Sequence, residues 1–544
     1  MCVVASGRLP NTFSSGIAAA HVAHIAQRVS MVDPEKLVKK NQEEFVSKEI
    51  AAIRIIHLNL AAALLVCMFS IGPRLCAQDD ITTRNASSAL GGGWITGPAS
   101  NPLRFRRGSV DHAHGAKPPY DFPDFHPVSD LDAHLPGWLD FGAEERFRFE
   151  SGENSGVRDG DDDSYLLNRL RFQADVRFGP SFKFASQVQD ARPFFEKPPI
   201  GPPNENRWDL KLAYVELGNP EKNWFSLRAG RQLINYNNTL IGSSEWRNQG
   251  RSYDAAVANL QSDRYHLGVF AASVVVPLAS GISHHQEGNN IYGLYGRVDK
   301  LIFNSSLEPF LLWRVQPRLV LEPELSNKTG KEDMETYGLR LKGQASTALD
   351  YSIELARQAG KDGTEQVRAW GLTGGMAYEF SSVLASPRIF AQYDYASGNQ
   401  NPGDGVHRTF DTMYPTPHDR FGIVDIFGWQ NIRAMRAGGT VMPHRRWTVT
   451  AQYLDFWVAS TADAIYDRSG GAIVRGPAPA DVGSHLGQEF DSYFWYELNG
   501  HLNVGGGYGR LDGGGLLSRA RAGHIYSYPY LIINFKDFGQ ARRE

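Results

Sequence analysis

Hydrophobic and polar residues alternate with a period of two from Leu139 to the C-terminus, and this alternation dominates the sequence. Between Leu139 and Glu150, apolar side chains such as Phe141 fall on one face and charged side chains on the other. Residues 164–178 repeat the pattern. A period of two predicts β-strands with one apolar and one polar face. Alternation alone fits a soluble sandwich, which buries its apolar face, and a barrel in lipid, which turns that face outward.

The lengths of the connections separate these two folds. We count eighteen candidate strands, beginning near residues 139, 165, 181, 208, 224, 251, 265, 290, 306, 335, 349, 367, 388, 430, 447, 489, 502 and 526. Short connections alternate with long ones, which lie at 193–207, 233–250, 275–289, 316–334, 398–429, 458–488 and 512–525. A sandwich has no reason to place every long loop at one end. The sequence therefore predicts an all-β fold, a transmembrane antiparallel up-and-down β-barrel of about 18 strands, with short periplasmic turns.

Aromatic residues near the predicted strand ends support a membrane barrel. The last strand, YPYLIINFKDF, ends in Phe538 and resembles the aromatic terminal strand of outer-membrane barrels. Aromatic girdles at the two membrane interfaces are typical of this class. The candidate girdle residues are Trp208, Trp224, Trp313, Trp447, Tyr528 and Tyr530.

The N-terminal region divides into two segments before the barrel. An apolar run at 55–71 follows Lys48 and Arg54 and precedes a small-residue cleavage site at 75–77, so residues 1–77 are predicted to be a lead and signal peptide. A single membrane anchor is the alternative. Residues 78–136, rich in Gly, Pro and His, are predicted to be a flexible extension. The barrel then occupies 137–538, and a short tail occupies 539–544.

Composition excludes several classes of protein. Mean hydropathy of −0.36 argues against a bundle of membrane helices, and a net charge of −3 offers no basic surface for nucleic acid. All three cysteines lie within the first 77 residues, so the mature chain suits an oxidising periplasm. We find no catalytic motif, and the histidines between 112 and 126 lack the spacing of a metal site. We therefore expect no enzyme activity, no cofactor and no bound metal.

Three stretches of the sequence resemble the alginate-export family of outer-membrane porins. They are LRAGRQLINYNNTLIGSSEWRNQGRSYDAA (227–256), AQYDYASGNQNPGDGVHRTFDTMYPTPHDRFG (391–422) and FWVASTADAIYDRSG (456–470). The resemblance covers roughly residues 137–538. It implies an eighteen-stranded barrel in the cell outer membrane that conducts an anionic polysaccharide through an arginine-lined constriction.

The alternation within each predicted strand assigns every residue to one of two faces, and we call this assignment the strand phase. Strand phase identifies the basic side chains that lie opposite the apolar face. Passing an anionic polymer needs cations spread along the path, and arginine binds carboxylates bidentately while staying charged. The predicted pore-lining, substrate-binding residues are Arg146, Arg148, Arg169, Arg171, Arg177, Lys183, Lys211, Arg228, Arg314 and Arg340, with Arg297 and Lys342 in the same phase. The acids in these phases are fewer: Asp140, Glu144, Glu150, Asp175, Asp209, Asp350 and Glu354. Each arginine has an alternative role in an ion pair that stiffens the wall.

Two further arginines, Arg231 and Arg251, lie in the family-like stretch 227–256 and are weaker candidates. Alternation places both on the apolar face at outer strand ends, so they are expected at the rim or against lipopolysaccharide phosphates.

The sequence thus predicts an outer-membrane porin that conducts an alginate-like anionic polysaccharide, or related anionic solutes, by passive diffusion. The alternatives are a general small-solute uptake porin on the same barrel and, in another class, a barrel-embedded enzyme or a surface-binding protein. The expected partners are the anionic polysaccharide or small anionic solute, outer-membrane lipid and lipopolysaccharide, and periplasmic export proteins.

Overall fold

The computed structural model of the protein describes residues 125–538, apart from 201–203, 221–222, 237–238, 302–303, 317–329, 417 and 480. The predicted signal peptide (1–77), most of the predicted extension (78–136) and the tail (539–544) lie outside the described residues.

Among the described residues, eighteen long antiparallel strands form a closed barrel. The strands are β1 (Leu139–Gly152), β2 (Asp163–Phe178), β3 (Phe182–Phe194), β4 (Asn206–Leu217), β5 (Phe225–Gln232), β6 (Tyr253–Gln261), β7 (Tyr265–Val276), β8 (His284–Val298), β9 (Ser305–Gln316), β10 (Glu332–Gln344), β11 (Leu349–Asp362), β12 (Glu365–Glu379), β13 (Arg388–Ala396), β14 (Val406–His407), β15 (Ile432–Val441), β16 (Trp447–Val458), β17 (Ile465–Tyr466), β18 (Ala472–Val474), β19 (His485–Glu497), β20 (Leu502–Gly513) and β21 (Ile525–Phe538). The three shortest, β14, β17 and β18, lie in connections and are not part of the wall.

The wall closes because its last strand pairs with its first. Strand β21 runs antiparallel to β1, with Lys536 opposite Glu144. Closure leaves no edge strand, so the backbone polar groups of the wall are hydrogen-bonded within it, as a lipid environment requires. Two short helices accompany the wall: α1 (Pro127–Asp132) before β1, and α2 (Gly515–Arg521) before β21. Neither of the described helices is long and apolar enough to cross a membrane.

Side-chain exposure distinguishes the outer face of the wall from its inner face. On β1, Phe147 and Phe149 are 44% and 45% exposed, whereas Arg146 and Arg148 are 3% and 2% exposed. The apolar side chains therefore point away from the barrel and the charged ones point into it. This is the arrangement that a barrel in lipid requires, and the reverse of a soluble sandwich. The fold predicted from the sequence is confirmed.

Most strands begin close to their predicted positions, and two connections differ. Strand β8 begins at His284 rather than near residue 290, because an irregularity after Ser273 lets β7 and β8 stay paired further. The predicted long loop 275–289 is therefore only 277–283. The connection between β11 and β12 is a turn of two residues, 363–364. Not every connection at the long-loop end of the barrel is therefore long.

The girdle prediction was right for the tryptophans and wrong for the tyrosines. Trp208 and Trp224 are 60% and 73% exposed, and Trp313 and Trp447 are also exposed. In contrast, Tyr528 and Tyr530 are buried among the inward-facing side chains. The neighbouring Pro529 occupies the outward position between them.

Helix α1 is fastened to the last strand at the end of the barrel that carries the short turns. The buried carboxylate of Asp537 accepts hydrogen bonds from Val128 N at 2.6 Å and from Ser129 Oγ at 2.5 Å. The ring of Phe125 packs on that of Phe535, with 6.0 Å between centroids. The end of the segment predicted to be flexible is therefore helical and docked.

We predict that Asp537→Asn releases α1 without opening the barrel. The substitution removes the charge from the hydrogen bonds that the carboxylate accepts from Val128 N, Ser129 N and Ser129 Oγ, and charge-assisted bonds contribute about 1.5–3 kcal/mol each. Limited proteolysis of the purified protein should cut within 125–136 several-fold faster, while the barrel still migrates as a folded species on unheated gels. The control is Asp512→Asn, which alters an exposed carboxylate elsewhere on the wall. Equal cleavage rates in the two variants would contradict the prediction.

Candidate functional site

Three long connections fold against the inner wall instead of extending away from the barrel. They are the loops 233–252, 397–431 and 459–484. The first two are joined by a parallel bridge between Ile241 and Tyr414, and the last two by an antiparallel bridge between Phe427 and Asp467. Buried apolar side chains from all three loops belong to one core cluster with inward-facing wall residues. We refer to these three loops together as the loop plug.

The loop 233–252 is held by arginines of the wall. Arg146 and Arg169 donate to the backbone carbonyl of Glu245 at 2.9 and 3.1 Å. Arg171 donates to the Glu245 carboxylate at 2.6 Å. Arg169 also pairs with Glu144 on β1. The loop backbone and the wall thus satisfy each other's polar groups in the barrel interior.

Six of the ten predicted pore-lining residues are buried beneath the loop plug. They are Arg146, Arg148, Arg169, Arg171, Lys211 and Arg314, each at most 6% exposed. Strand phase placed them correctly on the inner face. The loops cover five of them, Arg314 also lines the cavity described below, and contact with a solute at these positions stays a prediction. The alternative role given to these residues, stiffening the structure through ion pairs and hydrogen bonds, agrees with the contacts that all six make.

Glu245 is the acidic centre of this contact. Burial alone would raise the pKa of its carboxyl group, but Arg171, Lys211 and Arg169 outweigh burial and lower the pKa to about 2. The carboxylate is therefore charged at neutral pH. It offsets wall arginines that would otherwise repel each other in a buried site.

Trp246, the next residue, is packed between the wall and a second loop. Its ring stacks on His418 with 3.7 Å between centroids and 7° between planes. The Arg148 guanidinium lies 4.2 Å from the Trp246 ring centroid. His418 in turn contacts Asp425 at 2.7 Å, and Arg468 contacts the same carboxylate at 2.7 Å. One indole therefore connects the wall to two of the three plug loops.

The other predicted cations lie towards the short-turn end of the barrel and stay partly exposed. Arg177, for example, keeps 32% of its side chain exposed. All are paired with acids: Arg177 with Asp140 and Asp175, Lys183 with Asp175, Arg228 with Glu216, Arg297 with Asp299, and Arg340 and Lys342 with Glu308. Contact between these side chains and a solute stays a prediction.

Arg231 lies at the long-loop end of β5, as expected. Its Nε contacts Asp254 at 2.8 Å, and its Nη1 donates to Ser283 O at 2.8 Å. Asp254 also contacts His285. The charge of Arg231 is thus matched within the wall, and the arrangement does not present it to lipid phosphates.

A cavity of about 350 Å³ lies between the loop plug and the long-loop ends of β7 and β9. Its lining brings together basic, amide and aliphatic groups from five segments of the chain. They are Arg247, Gln249, Gly250, Arg251, Val274, Val275, Val276, Pro277, Arg314, Gln316, Asp411, Met413, Tyr414, Ser469 and Gly470.

Two of the lining arginines have no acidic partner among the described residues. Arg247 donates from Nη2 to Ser469 Oγ at 2.6 Å, and its buried Nε has no acceptor in the described part of the chain. Arg251 donates to the backbone carbonyls of Gly242, Tyr414 and Pro415 at 2.7–3.0 Å. Neither guanidinium contacts a carboxylate in the described part of the chain, so both bring positive charge to a cavity whose acidic lining residue, Asp411, is paired with Arg314.

Burial, followed by the charges of Arg251 and Arg468, lowers the pKa of the Arg247 guanidinium to about 9, although the more distant carboxylates of Asp425 and Asp467 oppose this shift. The group stays charged at neutral pH, but at a cost that a bound anion would relieve. The third lining arginine, Arg314, is different, because Glu332 and Asp411 both contact it at 2.5 Å.

The sequence predicted this site only in part. Arg251 was expected at the rim, but it points into the barrel and joins the loops 233–252 and 397–431. Arg247 was not selected, because it lies in a loop where strand phase gives no information. The available signal was its position in the family-like stretch 227–256, four residues before Arg251.

The closed wall, its outward apolar face and its charged interior define an outer-membrane β-barrel of the porin type. A family model described as alginate export matches residues 137–525. The chain belongs to the alginate export family.

Solved structures show the same fold at low sequence identity. Pseudomonas aeruginosa OpdO is 12% identical, with a TM-score of 0.50 over 76% of this chain and 100% of that chain. Pseudomonas aeruginosa OccK2 (OpdF) is 10% identical, with a TM-score of 0.50 over 74% of this chain and 98% of that chain. A comparison with curated protein sequences found no match.

We predict that Glu245→Gln loosens the loop 233–252. The amide cannot offset the charges of Arg171 and Lys211, so the loop should detach more often, and protease should cut it several-fold faster. The control is Glu287→Gln, which alters an exposed carboxylate on β8.

The same carboxylate makes the loop sensitive to acid. Because the pKa of Glu245 falls from 4.5 to about 2 in the folded protein, its stabilisation is complete above about pH 4.5 and is lost as the pH falls towards 2. Cleavage of the wild-type loop by an acid-active protease should rise over that interval, and Glu245→Gln should lack the rise. An identical pH profile in both proteins would rule out this role of Glu245.

Proposed function

We propose that this protein is an anion-selective channel through which anionic saccharides, or related anionic solutes, diffuse passively across the outer membrane. The single observation that carries the proposal is the pair of arginines, Arg247 and Arg251, which face one cavity without an acidic partner among the described residues.

The contrast with the rest of the interior supports this assignment. Except for Arg146, which donates to loop carbonyls and to Asn248, each inner-wall arginine that strand phase selected contacts a carboxylate, which reduces its net field in the lumen. Uncompensated cations in a low-dielectric channel attract anions and repel cations. Two such groups at one level of the barrel are therefore sufficient to bias which ions pass.

Membership of the alginate export family supports an anionic saccharide as the permeant solute. Each uronate unit of such a polymer carries one carboxylate, which a guanidinium binds bidentately. The partly exposed cations at the short-turn end, such as Arg177 and Lys183, would then line the remaining path. Conduction of this kind requires no catalytic group, cofactor or metal.

The proposal predicts anion selectivity that depends on Arg247. In a planar lipid bilayer under a KCl gradient, the wild-type protein should give a reversal potential on the anion-selective side. Arg247→Gln should lower the anion-to-cation permeability ratio by roughly twofold or more, because half of the uncompensated charge is removed. Arg247 is preferred to Arg251 for this test, because Arg251 also joins two loops.

The matched control is Arg510→Gln, which removes an arginine from the outward face of β20, where it pairs with Asp512. Its reversal potential should equal that of the wild type. Block by polyuronate oligomers would support polymer passage, and block by small acids alone would support the small-solute alternative. A wild-type channel without anion selectivity would overturn the proposal.

A further inference from the structure

The cavity that carries Arg247 and Arg251 also has an aliphatic wall. Residues 274–277, at the long-loop end of β7, contribute Val-Val-Val-Pro to its lining. Met413 and Tyr414 extend this apolar surface from the loop plug. The lining therefore combines basic and other polar groups, Asp411 among them, with an apolar surface.

The apolar wall results from an irregularity in the sheet. The register of β7 against β8 shifts between Ser273 and Val275. Val275 is buried, and its backbone N–H donates to Ser252 O at 3.1 Å, in the segment just after Arg251. A bulge of this kind re-aims side chains near the end of a strand. Here it places consecutive valines beside the basic loop.

The size and the polar groups of the cavity limit the ligand. A volume of about 350 Å³ lies near the lower end of the range of about 300–1,000 Å³ for small-molecule sites. Uncharged side chains that could bond sugar hydroxyls are few: Gln249, Gln316, Ser469 and Tyr414, whose hydroxyl already donates to Asn289. Ser469 already accepts from Arg247. A polyhydroxylated ring would leave several hydroxyls against valine and proline, which is unfavourable.

We propose that this cavity binds a small amphipathic carboxylate, with the carboxylate at Arg247 and Arg251 and an apolar ring or branched chain against Val274–Pro277. The inference rests on the proposed function and deepens it: among the anionic solutes proposed there, this cavity prefers a small amphipathic carboxylate to a saccharide. The guanidinium pair would bind the carboxylate of the ligand. The preformed aliphatic surface would bind its apolar part, because burying apolar surface away from water is favourable.

Isothermal titration of the full-length mature barrel in detergent tests this assignment, with benzoate, acetate and glucuronate as probes. Benzoate should bind at least about tenfold more tightly than acetate, because only its ring buries apolar area. Benzoate should also bind more tightly than glucuronate. Arg247→Gln should weaken benzoate binding about tenfold. Arg510→Gln should leave it unchanged.

A second variant separates the aliphatic wall from the charge. Val274→Thr keeps the shape of the side chain but replaces one methyl group with a hydroxyl, so it should weaken benzoate binding several-fold and leave acetate binding unchanged. Its folded state is checked by migration on unheated gels. Glucuronate binding as tight as benzoate, or an equal effect of Val274→Thr on benzoate and acetate, would overturn the inference.

Failure of this inference and failure of the proposed function give different results. If the channel is anion-selective but benzoate has no advantage over glucuronate, only the solute class is wrong. If the bilayer shows no anion selectivity, the proposed function is wrong, whatever the titration shows.

Discussion

The interior of this barrel is organised by the need to satisfy buried guanidinium groups. Charge is unfavourable on the part of a strand that faces hydrocarbon, so the arginines in the middle of β1 and β2 point inward. Inside, each must find an anion, a carbonyl or water. Glu245 and the backbone beside it provide these partners for Arg146, Arg169 and Arg171. The loop that supplies them is thereby drawn into the lumen.

The other two inward loops depend on this first contact. Trp246 stacks on His418, and the bridge between Ile241 and Tyr414 links the same two loops through their backbones. The glycines of β20, which is separated from β1 by β21 alone, make room for the second loop: a Cβ on Gly509 would lie 2.8 Å from side-chain atoms of Ile423 and Val424. Ion pairs on β1 and β2 and missing side chains on nearby β20 thus help to position one continuous plug.

The sequence predicted the wall well because strand periodicity is a local property. Leu139, Leu349 and Trp447 each begin a strand where the alternation does. It predicted the loops poorly because their positions depend on contacts between distant residues. Nothing near Arg169 in sequence indicates that Glu245 covers it, and nothing near Arg251 indicates that the carbonyl of Tyr414 accepts its hydrogen bond. The strand predicted from residue 502 contains the glycine-rich stretch 505–509, but the reason for these glycines is visible only beside the loop that packs on them.

The docking of α1 on Asp537 has a consequence for the order of assembly. The helix lies ahead of the first strand, yet its acceptor lies 409 residues later, at the end of the last strand. The hydrogen bonds can therefore form only after the final strand has been made and has reached the first. Before that point, the hydrogen-bond donors of Val128 and Ser129 can donate only to water. Helix docking is therefore a late event that requires a closed barrel. The docked helix lies where β1 and β21, the two ends of the sheet, pair with each other.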